Sequence, residues 1–185
     1  MELAVFTIPD DFLRKLRDGC RDFRGIHLAE AFLVGIDLRL TNFAQARLTN
    51  VDLLGANLTA ADFREANLVR VNLRGAHLFR ANFTKATCSH VDFSCANLHG
   101  AFLHGANLAG VEMPAVHLAH ADMRGANLSG TNLQGANLSF ANLQQANLSG
   151  ANLIEAILTG ANLQGANLRG TRMPDSEDAL DCLHS

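Results

Sequence analysis

The chain of 185 residues contains no tryptophan and no tyrosine, so it supplies no polar-tipped aromatic platform of the kind on which bases stack. Its four cysteines, Cys20, Cys88, Cys95 and Cys182, show no paired spacing, which points to isolated thiols in a reducing compartment and away from a disulfide framework. Hydrophobic residues make up 48% of the chain, yet they are dispersed at fixed spacing and no run approaches the length needed to cross a bilayer. Met1 to Phe12 carries Glu2, Asp10 and Asp11 where a signal peptide needs basic residues and a longer apolar core. The expectation is a cytoplasmic protein with no membrane association. A dense charge of one sign is lacking too, because the formal net charge is only -3.

What the chain does have is a five-residue period that runs from Arg21 to Met173 without a slip. Taking Phe23 as the first central position, all 31 centres are Leu, Phe or Met except Cys88. The residue two before each centre is Ala, Val, Ile or Thr in every case except Arg21. The residue between is Asn or Asp in 21 cases, as in Ala126-Asn127-Leu128-Ser129-Gly130. A period of five fits neither the helical 3.6 nor the strand 2.0. Both apolar columns must still face inward, and a coil that turns a corner every five residues does this. Its rungs stack like parallel strands, so the fold is an all-β solenoid in which each repeat touches only its neighbours.

The phenylalanines count the corners. Phe23, Phe43, Phe63 and Phe83 recur every 20 residues, as they would if four pentads complete one turn and equivalent side chains share one interior column. Nearly eight such coils stack into a rod of roughly 37 Å at the usual interstrand rise. A narrow interior explains the small residues, since a second Leu per pentad would overfill it. The Asn and Asp beside each centre are expected to bond to backbone across the corner, as Asx residues do in turns. Glycines such as Gly125, Gly130 and Gly135 close the pentads and serve the corners.

With this pattern the chain resembles the pentapeptide-repeat family, whose motif is Ala-(Asn/Asp)-Leu-x-x. The resemblance implies a right-handed quadrilateral β-helix without enzymatic activity or cofactor. It also implies one of two protein-directed roles: regulation, as in developmental regulators from photosynthetic bacteria, or DNA mimicry directed at DNA gyrase, some members conferring quinolone resistance.

Three segments are expected: residues 1–20, an N-terminal piece with a short capping helix; residues 21–173, the repeat; and residues 174–185, an acidic tail. Pro9 to Gly19 reads as the helix, with Pro and acids at its start, Phe12, Leu13 and Leu16 on one face and Gly19 to stop it. The tail carries four acids with Ala179, Leu180, Cys182 and Leu183. It reads either as a weak cap or homodimer contact through the terminal coils, or as a frayed end.

Histidine is more clustered than the fold requires. The 20-residue projection puts His77, His99, His117 and His120 on one side across successive coils, with His104 around the next corner. A metal site needs imidazoles converging on one ion, and this ladder spreads them over three coils, so no metal is expected. Outward apolar residues share that side: Leu40, Phe79, Phe140 and Ile157. The candidate protein-contact residues are therefore Phe79, His77, His99, His117, His120, Phe140 and Ile157. Phe102 points out elsewhere. Phe32, Val34 and Leu54 form a second group, expected to pack under the N-terminal helix in preference to serving as a contact.

Charge separates the two protein-directed roles. Residues 21–173 hold 12 Lys plus Arg against 10 Asp plus Glu, whereas a DNA mimic needs a dense negative surface. Nor do Arg64, Arg70, Arg74 and Arg80 make a nucleic-acid stripe, because Asp62 and Glu65 lie among them. The reading is a non-enzymatic scaffold or regulator that binds an unidentified protein partner through one side of the rod. The DNA mimic acting on gyrase is the alternative, and a metal-binding or enzymatic role is a distant third.

Overall fold

A coil that turns a corner every five residues needs one backbone reversal per pentad. The computed structural model, which describes residues 10–175, shows where it falls. Every pentad from Gly25 to Gly170 ends in a residue with φ between +53° and +70°. Most corners then close with a hydrogen bond three residues back, such as Ile26 N–H to Phe23 O at 3.1 Å and Ala126 N–H to Met123 O at 3.0 Å. This is a type II turn with its left-handed residue in third place. Pro114 takes second place in one of them, between Met113 and the left-handed Ala115, where its fixed φ suits the turn. Fourteen of the left-handed positions are Gly, and sixteen are other residues, among them Leu40, Ala60 and Phe140. Each of the sixteen carries a conformational cost of about 1–2 kcal/mol. The left-handed residue in return points its own N–H at the next coil, as Gly25 does to Ala44 O and Phe140 to Thr159 O, both at 2.9 Å.

The Asn and Asp before each centre reinforce the corner. In 20 of the 21 cases the side-chain Oδ1 accepts the N–H two residues on, as Asn42 does from Ala44 at 3.0 Å. This is the expected Asx geometry. The exception is Asn67, which lies within a strand.

Successive coils pair in parallel with a constant offset of 20 residues, as in Asp22 with Asn42 and Asn42 with Asp62. The rod has four sides, called here by their centres: the first from Phe23, the second from Leu28, the third from Leu33 and the fourth from Leu38. On the second side the opening coils form short strands β1 (His27–Ala29), β2 (Arg47–Thr49), β3 (Asn67–Val69) and β4 (Thr87–Ser89), paired in that order in one parallel sheet. From the fifth coil this side adopts the closed corner, with Val111 N–H to Leu108 O at 3.2 Å. There His27, Arg47 and Thr87 give way to Asn107, Asn127, Asn147 and Asn167, whose amides bond down the column. Asn67 keeps the open form between Arg47 and Thr87, so a corner follows the rungs it stacks against as well as its own residue.

The interior is the column predicted. Phe23, Phe43, Phe63 and Phe83 stack face to face at 5.8, 5.3 and 4.8 Å, and Phe93 meets the last edge-on at 5.7 Å. Thr41 and Thr131 stand where Ala usually does; their hydroxyls donate to Leu38 O at 2.6 Å and Leu108 O at 2.8 Å, leaving no buried polar cost. Burial pushes the Cys88 thiol up to about 12.

Above the first coil lies α1 (Asp10–Arg17). It ends in a Schellman motif, with Cys20 N–H to Lys15 O, Gly19 N–H to Leu16 O, and Gly19 at φ +87°. Phe12 is buried and meets Phe23 at 4.6 Å, so the helix continues the aromatic column, while Leu13 and Leu16 pack against the same core. Phe32, Val34 and Leu54 do not pack under it; they remain 47%, 55% and 39% exposed on the third side. The reason is geometric, since the helix sits over the end of the core and these residues point sideways from the coil. Pro9 and the tail residues Ala179, Leu180, Cys182 and Leu183 lie outside the described residues.

Ala96 is fully buried beside Leu98, so Ala96→Leu should overpack its coil and lower stability by about 1 to 3 kcal/mol in chemical denaturation. A variant as stable as the parent would contradict that facing. Ala60→Gly should act in the opposite direction. Relief of left-handed strain at φ +54°, less the extra freedom of the unfolded chain, leaves a gain of about 0.5 to 1 kcal/mol. A loss of stability would show that the corner does not strain its non-glycine residues.

Candidate functional site

On the fourth side the turns fall at residues 79–80, 99–100, 119–120 and 139–140, one above another along an edge of the rod. Stacking places four rings there in continuous contact. Phe79 lies over His99 at 5.6 Å with planes 12° apart, and His99 meets His120 edge-on at 5.3 Å. His120 then lies over Phe140 at 5.2 Å and 11°. The ladder shifts from the second to the third residue of the turn at Ala119, which is small and 9% exposed. Phe79 and Phe140 at its ends remain 40% and 58% exposed.

The left-handed corner aims its own side chain, as at Arg80 and Phe140, along the rod toward the following coil. A Cβ placed on Gly160 would lie 2.6 Å from the Phe140 ring, and one on Gly100 would lie 3.6 Å from the Arg80 stem. Phe140 therefore owes its position to the missing side chain at Gly160. The remaining candidates stand in the neighbouring column on the flat of the same side, where His77, Asn97, His117, Asn137 and Ile157 pair in register. The structure thus brings His99 and His120 into the ring stack with both phenylalanines. His77 and His117 are separated by Asn97, and Ile157 is 50% exposed at the far end. Leu40 stands alone near the other end, 72% exposed.

No Asp or Glu occurs on this side from His77 to Gly160, and Arg80 is its fixed cation. Elsewhere four of the ten carboxylates of the rod are ion-paired within their own corners. Asp22, Asp37, Asp62 and Asp122 each pair with the Arg two residues on, at 2.6 to 2.8 Å. The Arg39 guanidinium, aided by the Arg39 N–H, holds the Asp37 carboxyl down at about 2. Among the described residues no group of three or more His, Cys, Asp or Glu is placed to hold a metal ion.

Two features of the edge escaped the sequence reading. One is the left-handed backbone beneath Leu40, His120 and Phe140, at a position that looks unrestricted in the repeat. The other is Gly160, whose role is visible only once a residue is compared with the one 20 before it.

The chain matches the family model described as Pentapeptide repeats in 8 copies, lying between residues 22 and 173. No curated protein matches it. Among solved structures it is similar to trypsin-treated QnrB1, a plasmid-mediated fluoroquinolone resistance protein. Identity is 22% over 89% of this chain and 90% of that one, with a TM-score of 0.55. It is also similar to HetL, a pentapeptide-repeat protein involved in heterocyst differentiation regulation in the cyanobacterium Nostoc sp. strain PCC 7120, at 29% identity over 91% and 98% of the two chains and a TM-score of 0.26. A third is Rfr23 from the cyanobacterium Cyanothece 51142, at 25% identity over 91% and 97% and a TM-score of 0.41. The likeness to QnrB1 is one of fold, and the other two carry no functional argument.

Gly160→Ala should dislodge Phe140 and remove the ring-current shift that its stack imposes on His120 in proton NMR. Gly130→Ala, at a similar φ of +64° with nothing within 4 Å, is the control: both variants should lose about 1–2 kcal/mol from left-handed strain, but only the first should disturb His120. An unchanged His120 signal in Gly160→Ala would contradict the ladder geometry.

Proposed function

Because this chain belongs to the family of pentapeptide-repeat proteins, we propose that it works by contact, as a non-enzymatic scaffold or regulator holding another protein against one edge of the rod. The observation that carries this reading is the unbroken ladder Phe79, His99, His120 and Phe140. Solvent-exposed aromatic rings held by their neighbours lose little freedom on binding, which is what anchor residues at protein interfaces need. His77, His117 and Ile157 widen the same surface. A cytoplasmic setting fits, and among the described residues no helix is long and apolar enough to cross a membrane.

The charge arrangement weighs against a DNA mimic acting on gyrase. A mimic presents carboxylates in place of phosphates, but four of the aspartates of this rod are ion-paired to arginines from their own corners. Their fields are cancelled locally.

Replacing both anchors, Phe79→Ala with Phe140→Ala, should weaken a partner isolated from the native host by roughly 1 to 4 kcal/mol, with circular dichroism unchanged and little dependence on salt. Gyrase supercoiling should be unaffected by the parent protein. Salt-sensitive gyrase inhibition, lost on neutralising Asp52, Asp62 and Asp92 and indifferent to Phe79 and Phe140, would overturn the scaffold reading in favour of mimicry.

A further inference from the structure

The ring ladder lies on a side whose ionisable groups are all basic. From His77 to Gly160 that side holds Arg80, His77, His99, His117 and His120. His99 is half-buried in the stack and the other four are exposed. Arg14, Arg24, Arg39, Arg64 and Arg124 each meet an aspartate. Arg80 meets none among the described residues, and its stem lies close to Gly100 in the turn that carries His99. We infer that the ladder receives an extended acidic segment of the partner protein, laid lengthwise along the rod with its carboxylates against Arg80 and the rims of the rings. This rests on the ladder being the contact surface.

Phe79 and His99 turn one ring face to each other, as do His120 and Phe140, so what the stack offers a partner is chiefly rim. The rim is the positive part of an aromatic quadrupole, and the imidazole nitrogens on it donate hydrogen bonds to an anion. A nucleic acid fits less well. Bases stack on open ring faces, and phosphates call for a row of fixed cations, of which this side has Arg80 alone. Strand addition is closed as well, because the rungs already bond to one another along the side, as Arg80 N–H does to His99 O and His120 N–H to Ser139 O, both at 3.0 Å. Recognition is left to side chains, and their spacing agrees. The three rises from Phe79 to Phe140 cover about 14 Å, and alternate side chains of an extended chain repeat at roughly 6.6 Å, so three carboxylates on one face span the ladder. The ionisable groups flanking the side are Arg74, Cys95 and Glu155 on the corner before it, with Asp92 and Glu112 farther round on the third side. Beyond the corner after it stand Lys85, His104 and the Asp122–Arg124 pair. An imidazole ordinarily gains its proton between pH 5 and 8, so the acidic segment should bind more tightly as the pH falls through that range. Near pH 8, with Arg80 as the fixed charge, salt should matter little.

Fluorescence anisotropy with the full chain tests this through three labelled probes: a ten-residue peptide alternating Glu with Thr, the same peptide with Gln for Glu, and a ten-nucleotide oligothymidylate. The Glu peptide should bind several-fold more tightly than the Gln peptide, and several-fold more tightly at pH 6 than at pH 8, while moving the NMR signals of His99 and His120. Arg80→Gln should remove most of the preference for Glu over Gln, and His99→Gln with His120→Gln most of the gain at low pH. His90→Gln, on the second side and exposed, should change neither. Equal binding of the Glu and Gln peptides, or a preference for Glu that survives the ladder variants, would overturn the inference. Tighter binding of the oligothymidylate at the same residues would assign the edge to nucleic acid and overturn it too. A native partner that needs Phe79 and Phe140 yet ignores Arg80→Gln and pH would overturn it while leaving the proposed function intact. One that ignores Phe79 and Phe140 would defeat the proposed function even where the Glu peptide binds.

Discussion

The rod depends on the left-handed residue that ends every pentad. It reverses the chain by a quarter turn, and its own N–H then bonds to the coil above or below, so one backbone choice both makes the corner and joins the rungs. The other features follow. The Asx side chain braces the turn, the centre and the small residue face a narrow shaft, and the offset between coils stays at 20 residues because every pentad ends in the same reversal. That sixteen of these positions are not glycine shows how strongly the stack enforces the conformation, since each would avoid it in isolation.

The same constraint shapes the surface. Side chains on left-handed corners can lean along the rod, so that a long one reaches its equivalent one coil later, as Phe140 reaches Gly160 and Arg80 reaches Gly100. Polar residues at equivalent places in the turn form ladders, as Gln45 and Glu65 do on the left-handed residue at 3.0 Å and Gln144 and Gln164 do on the residue before it at 2.9 Å. Rings at the two exposed places of the turn, Phe79 and His99 before the left-handed residue and His120 and Phe140 on it, form the stack. Function in such a rod is a matter of which column receives which chemistry, because the backbone is alike on every side.

Much of this was legible in the amino-acid sequence, for definite reasons. The Phe23–Phe83 column announces four corners per turn because only a 20-residue return brings those rings together. The Asn and Asp next to each centre announce their bond to the backbone because short polar side chains have few other uses beside a tight turn. Phe79 over His99 could be read from the same spacing of 20. The step from His99 to His120 could not, because it crosses from one place in the turn to another, and that depends on Ala119 being small. Phe32, Val34 and Leu54 were misplaced under the helix because periodicity locates a side without locating what covers it. The open corners on the second side were also hidden, since Asn67 obeys its neighbours and not its own preference.

Hydrogen–deuterium exchange of the rod with and without a partner isolated from the native host tests the central claim most directly, because it reports on every side at once. Added protection should be confined to residues 77–80, 97–100, 117–120 and 137–140, while the asparagine column at Asn107, Asn127, Asn147 and Asn167 should exchange as before. Protection concentrated on that asparagine column, with the ring edge unchanged, would contradict it.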